Sequence, residues 1–158
     1  MRRDQLMHFV DTSMCGTTPS YVLLGDGIAS LSEEMNAETE TKQWINQRNG
    51  TTQVKGYTPS IEVEREDCVD DDCRAWIKRM IDELPTGAAA VTYVVRVDAT
   101  GTPTSGAYPA IRRKFAVQVG STGGDAGGDV VDSITLGGCG DGEVGTFNPT
   151  TLAFTATT

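Results

Sequence analysis

At 158 residues, with 22 acidic against 13 basic side chains, the chain carries a formal net charge of -9 and has the length of one domain. A chain of this size buries roughly 70% of the surface its unfolded form exposes, so it needs neither disulfides nor a metal to be stable. The acidic balance excludes a protein that grips phosphates, because such proteins display clustered Lys and Arg that release counterions from nucleic acid.

Met1-Arg2-Arg3-Asp4 is followed by Gln5, His8 and Asp11. No apolar core of a secretion signal follows the two positive charges, and no stretch approaches the roughly 18 to 20 apolar residues of a membrane span. A soluble protein that stays inside the cell that makes it is expected. Residues 5 to 13 hold Leu6, Met7, Phe9 and Val10 with no apolar partner nearby in sequence, which suggests a docking arm over about residues 1 to 16. The lone histidine, His8, is expected to serve packing or solvent contact.

Residues 38 to 57 read ETETKQWINQRNGTTQVKGY, two polar arms about Asn49-Gly50, a pair that favours a tight hairpin turn. Only Trp44, Ile45, Val54 and Tyr57 offer sizeable apolar groups, and an isolated two-stranded hairpin is marginal in water. This hairpin is therefore expected to pair with another subunit, where main-chain hydrogen bonds supply affinity despite polar side chains. Ile61 and Val63 then alternate with Ser60, Glu62 and Glu64, a strand with one largely acidic face.

Residues 70 to 87 show helical spacing. Cys73, Trp76, Ile77, Met80, Ile81 and Leu84 form one stripe, Asp70, Asp71 and Asp72 cap its start, and Pro85 and Gly87 end it. Alternation returns at Val91 to Val97 and at Phe115 to Val119, so both are expected as half-buried strands. The basic run Arg112, Arg113 and Lys114 is expected at a solvated or subunit-facing edge. Residues 123 to 129 read as a flexible Gly/Asp loop, 130 to 136 as a strand and 137 to 142 as a turn. A last strand is expected over 151 to 155, after Asn148-Pro149. Several strands with one helix indicate a mainly β (α+β) fold, an antiparallel sandwich or barrel with one flanking α-helix.

Chemistry finds no footing in this pattern. Cys15, Cys68, Cys73 and Cys139 lack zinc-ligand spacing and are expected as reduced thiols, with no disulfide, metal or cofactor. The chain has neither a Gly-x-Ser-x-Gly elbow nor a phosphate-binding loop, so no catalytic residue is expected and the protein is not expected to be an enzyme.

Taken in order, QLMHFVDTS, GTTPSYVLLGDGIASLS, ETETKQWINQRNGTTQVKGYTPSIEVE, AWIKRMIDELPTG and GTFNPTTLAFT resemble the major tail tube proteins of siphovirus-type phages and prophages, which have long, non-contractile tails. The resemblance spans most of the chain, and the strand from Tyr57 to Glu64 after the polar hairpin is its most telling part. It implies a single tail tube domain over residues 1 to 158. Such domains close as hexameric rings whose inward strands build a continuous barrel, and the rings stack into a tube through which DNA passes without specific binding. In that family the hairpin and the N-terminal arm span ring-to-ring contacts. The interface expected here therefore comprises Leu6, Met7, Phe9, Val10, Lys42, Trp44, Ile45, Arg48, Asn49, Gly50, Val54 and Tyr57. The implied partners are further copies of the chain, a tape-measure protein, and tail terminator and tip proteins, without a membrane. The implied location is the virion tail, with assembly in the host cytoplasm. The alternative is a carbohydrate- or host-surface-binding β-sandwich module, which needs a cluster of exposed aromatics; with two Trp and 6% aromatic residues the chain is poorly equipped for it.

Overall fold

Alternating apolar and polar side chains become strand wherever both faces of the backbone find partners. A computed structural model describes residues 1–67 and 70–157. Its strands are β1 (Leu6–Asp11), β2 (Tyr21–Leu23), β3 (Leu31–Glu34), β4 (Ala37–Lys42), β5 (Thr51–Tyr57), β6 (Ser60–Glu66), β7 (Val91–Asp98), β8 (Tyr108–Gly123), β9 (Val131–Asn148) and β10 (Ala153–Ala156). Among the described residues there is one α-helix, α1 (Asp72–Glu83). The main sheet is antiparallel with order β2-β1-β7-β8-β9-β6-β3, and β10 adds to the far end of β9. Among the described residues β4 and β5 pair only with each other, as a separate ribbon.

The main sheet curls. β1 and β3 are far apart in the pairing order, yet His8 of β1 and Glu33 of β3 approach to 3.6 Å. Between the two wings lies the principal core. It joins Val10, Val94, Phe115 and Val117 to Leu31, Ile61, Val63, Ile134 and Leu136, with Cys73, Trp76, Ile77 and Met80 of α1 packed among them. The opposite face of β1 and β7 is also covered. Phe9, Val95, Val97 and Ala110 gather around Phe147, whose ring centroid is 4.6 Å from that of Phe9 and 5.4 Å from that of Tyr21. Burial on both faces explains why β7 breaks alternation at Val94-Val95, where both side chains are buried.

The helix starts where its cap predicts. The Asp71 carboxylate accepts a hydrogen bond from the Arg74 backbone N–H at 2.9 Å, and it also receives Arg65 Nη2 at 2.8 Å. Leu84 departs from the expected stripe. It adopts φ 46° at the C-terminal cap and is mostly exposed, because Pro85 ends the helix before another turn can bring Leu84 inward.

Four other expectations change. The stretch from Leu6 to Asp11 is no free arm: β1 pairs with β2 on one side and β7 on the other, and buries Phe9 and Val10. Residues 137 to 142 are no turn. They continue β9, and the register steps two residues on β8 (Arg112 to Lys114) against four on β9 (Glu143 to Cys139). Gly140, at φ 76°, permits this bulge where a Cβ would be strained. Arg112, Arg113 and Lys114 lie inside the sheet between β7 and β9 rather than at an edge. Arg112 stacks over the rings of Tyr93 and Phe154 and pairs with Glu143 at 2.5 Å. Last, Asn49-Gly50 closes an eight-residue loop, residues 43 to 50, instead of centring a two-residue turn.

Cys15, Cys73 and Cys139 are free thiols, and the expectations for Cys68 fall outside the described residues. Among the described residues no helix is long and apolar enough to cross a membrane.

Candidate assembly surfaces

The ribbon is anchored at its root by Asn36. At φ 49° this residue turns the chain out of β3, and its side-chain amide donates to Thr58 O at 3.0 Å and to Ser60 Oγ at 2.8 Å. Asn tolerates the left-handed region better than most residues, so it suits the corner. Along the ribbon the cross-strand contacts are polar. Lys55 reaches Glu40 at 2.6 Å, and the hydroxyls of Thr41 and Thr52 meet at 3.0 Å. The loop folds on itself, the Gln43 amide donating to Gln47 O at 3.1 Å and to Arg48 O at 3.0 Å. This ordered tip presents Trp44 at 61% exposure and Ile45 at 109%.

The expected interface residues thus divide. Lys42, Trp44, Ile45, Arg48, Asn49, Gly50, Val54 and Tyr57 are exposed on the ribbon, Leu6 and Met7 are half-buried, and Phe9 and Val10 belong to the core.

A second surface follows from register. On the side of the sheet away from the principal core, Ser32 pairs with Glu62, Glu34 with Ser60, Glu62 with Thr135, Glu64 with Ser133, and Gln118 with Thr135. Paired residues share a face, so β3, β6, β9 and β8 together present a polar wall of carboxylates, hydroxyls and an amide. The helix lies on the other side, because Trp76 and Ile77 pack with Ile61, Val63 and Ile134.

A buried ionic cluster escaped the reading of the sequence. Glu33, 7% exposed at its side chain, faces His8 at 3.6 Å, Arg96 at 2.9 Å and Arg113 at 3.6 Å. Burial alone would raise the Glu33 carboxyl, but the contact with His8 and the charges of Arg96 and Arg113 outweigh it and hold the group below the ordinary carboxylate range. The cluster ties β3, the strand that launches the ribbon, to β1, β7 and β8. Thiol chemistry is disfavoured: burial pushes up the thiols of Cys73 and Cys15, leaving less of the thiolate that acts as nucleophile.

No family model matches the chain, and no curated protein is similar to it in sequence. Solved structures are similar. A chain in the tail of an empty gene transfer agent (GTA) particle, refined helically with C6 symmetry, superposes with a TM-score of 0.64 at 14% identity over 99% of both chains. A chain in the virion of the native GTA particle gives 0.61 at 13% identity, again over 99% of both. The fold is thus shared with chains of GTA tail and virion structures. The likeness extends over 99% of the chain, and the helix and the antiparallel sheet agree with the mainly β class expected from the sequence.

Proposed function

We propose that the chain is a structural subunit of a phage or phage-like tail, closing as rings, by the family resemblance hexameric, that stack into a tube for DNA ejection. The observation that carries this reading is the ribbon, whose two strands pair with no further strand among the described residues and whose apolar tip is exposed. A two-stranded ribbon has little stability of its own, and its free edges offer unpaired N–H and C=O groups to a neighbour. The polar wall of β3, β6, β9 and β8 faces the lumen, where carboxylates give a polyanion nothing to adhere to, and α1 lies toward the outside. The subunit resides in the virion tail after assembly in the host cytoplasm. A tape-measure protein inside the tube, and terminator and tip proteins at its ends, complete the set of partners.

The exposed aromatics argue against a carbohydrate-binding module. Trp44 sits at the tip of the ribbon and Tyr57 at its root, paired with Ala37. Six residues of strand, roughly 20 Å, part them, so they form no shared platform for a sugar. Deleting Lys42 to Lys55 tests the assembly reading. A folded monomer that no longer polymerises is the expected product, as judged by circular dichroism and negative-stain microscopy; tubes of normal length from the shortened protein would remove the ribbon as connector.

A further inference from the structure

We propose that the ribbon tip seats in an apolar groove on a second copy of the chain, with Trp44 and Ile45 as anchors and Arg48 set against Glu66. This names the receptor for the ribbon contact and rests on the tube reading above. The groove, about 500 Å³, is lined by Leu6, Met7, Leu23, Leu24, Ile28 and Leu31, with Leu23 44% exposed. A second hollow, which shares Ala29 with the groove, is lined by Glu64 and Glu66. The seat is therefore mainly apolar, with Arg3 and Asp4 also in its lining, and has an acidic hollow next to it.

The tip carries the matching sequence of properties. Trp44 and Ile45 are its apolar pair, and Arg48 follows three residues later on the same ordered loop. Glu40 engages Lys42 and Lys55, whereas among the described residues no carboxylate pairs with Arg48. The whole ribbon, residues 37 to 57, holds Lys42, Arg48 and Lys55 against Glu38 and Glu40, a net charge of +1, which leaves -10 on the rest of a chain that totals -9. Approach of this segment to another copy is thus electrostatically favoured, while the remaining surfaces repel one another.

Placement makes the contact intermolecular. The groove lies at the Leu31 end of β3, and the ribbon departs from the Glu34 end, where Asn36 turns the chain. The exposed tip is not seated in its own groove. Plug and socket on different parts of one subunit form a head-to-tail contact, which propagates into closed rings or open stacks. A buried Trp in a central pocket is the kind of anchor that dominates such interfaces.

Full-length variants test the seat by sedimentation and electron microscopy, with thermal melting of the unassembled subunit as the fold control. Trp44→Ala and Leu23→Asp, one on each side of the contact, are each expected to raise the concentration needed for assembly about 30-fold or more. Ile45→Asp, at a fully exposed position that folding does not use, is expected to act likewise. Arg48→Glu and Glu66→Lys should each weaken assembly, and the two combined should restore it. Normal assembly of Leu23→Asp alongside failure of Trp44→Ala would place the tip elsewhere and overturn the seat while sparing the tube. Absence of rescue in the charge exchange would overturn the Arg48–Glu66 contact. A wild-type protein that stays monomeric at every salt concentration would remove both the seat and the tube.

Discussion

Replacing Trp76 by Ala is expected to lower the melting temperature of the unassembled subunit by roughly 6 to 20 °C. Trp76 is 3% exposed and sits where α1 meets the inner face of the sheet, in one cluster with Ile61, Val63, Ile77 and Met80. Its indole N–H points to the sulfur of Met14 at 3.5 Å, so the ring also pins the loop after β1. Truncating a buried aromatic costs about 3 to 5 kcal/mol, because the void is only partly refilled by its neighbours. For a domain of this length each kcal/mol moves the transition by roughly 2 to 4 °C. Trp76→Phe, which keeps most of the volume, should recover much of the loss. Calorimetry on the monomer is the measurement, and an unchanged transition for Trp76→Ala would mean that the side chain is exposed in solution and belongs to a subunit interface.

The helix and the short strands were legible because their signals are local. The stripe from Cys73 to Met80 repeats at helical spacing within two turns, and Ile61 and Val63 alternate with carboxylates inside a single strand. β1 was misread for the converse reason. One partner, the short β2, follows ten residues on, but the longer pairing is with β7, which begins some 80 residues later with Val94 opposite Val10, and nothing near Leu6 to Val10 announces it. The length of β8 and β9 was hidden by glycine. Residues 137 to 142 carry turn chemistry, yet here glycine serves a bulge within a strand flanked by neighbours that hold it extended. The ribbon was legible as a hairpin without partners, while its true loop was obscured because Asn49-Gly50 imitates the two-residue turn it does not form.

Buried charge was the least legible part of the structure, although one sign of it stood in the sequence. Arg65 continues the inward series Ile61, Val63, Arg65 of β6 and is 1% exposed, so a cation at an inward position marks an ion pair, which Asp71 supplies. Glu33 gave no such sign, since in β3 it reads as one more polar residue beside Glu34. Its neighbours come from three strands scattered along the chain. The structural consequence is that the strand carrying the ribbon is held by ionic contacts as well as by apolar ones.

Glu33→Gln is therefore expected to destabilise the subunit by about 2 to 4 kcal/mol at neutral pH, and to flatten the acid side of its stability profile. The substitution keeps shape and removes one charge, leaving Arg96 and Arg113 beside His8 without their shared counter-ion. The two guanidinium side chains remain about a quarter exposed, 25% and 23%, so water screens part of the loss and the cost falls below that of a fully buried pair. The sign of the pH dependence follows from the direction of the shift. Glu33 titrates below its ordinary value in the folded protein, so the stability it contributes is fully present above the unfolded carboxylate value, near 4.5, and is lost as pH falls through the folded one. The gap between wild type and Glu33→Gln should be widest at neutral pH and narrow progressively below about pH 4.5. Asp67 and Asp98 are also held low, by Arg74 and by Thr100 respectively, but they are present in both proteins and cancel in the comparison. Urea unfolding of the two proteins from pH 7 downward reads the gap directly, and equal stability at pH 7 would show that the cluster does not fix the launching strand.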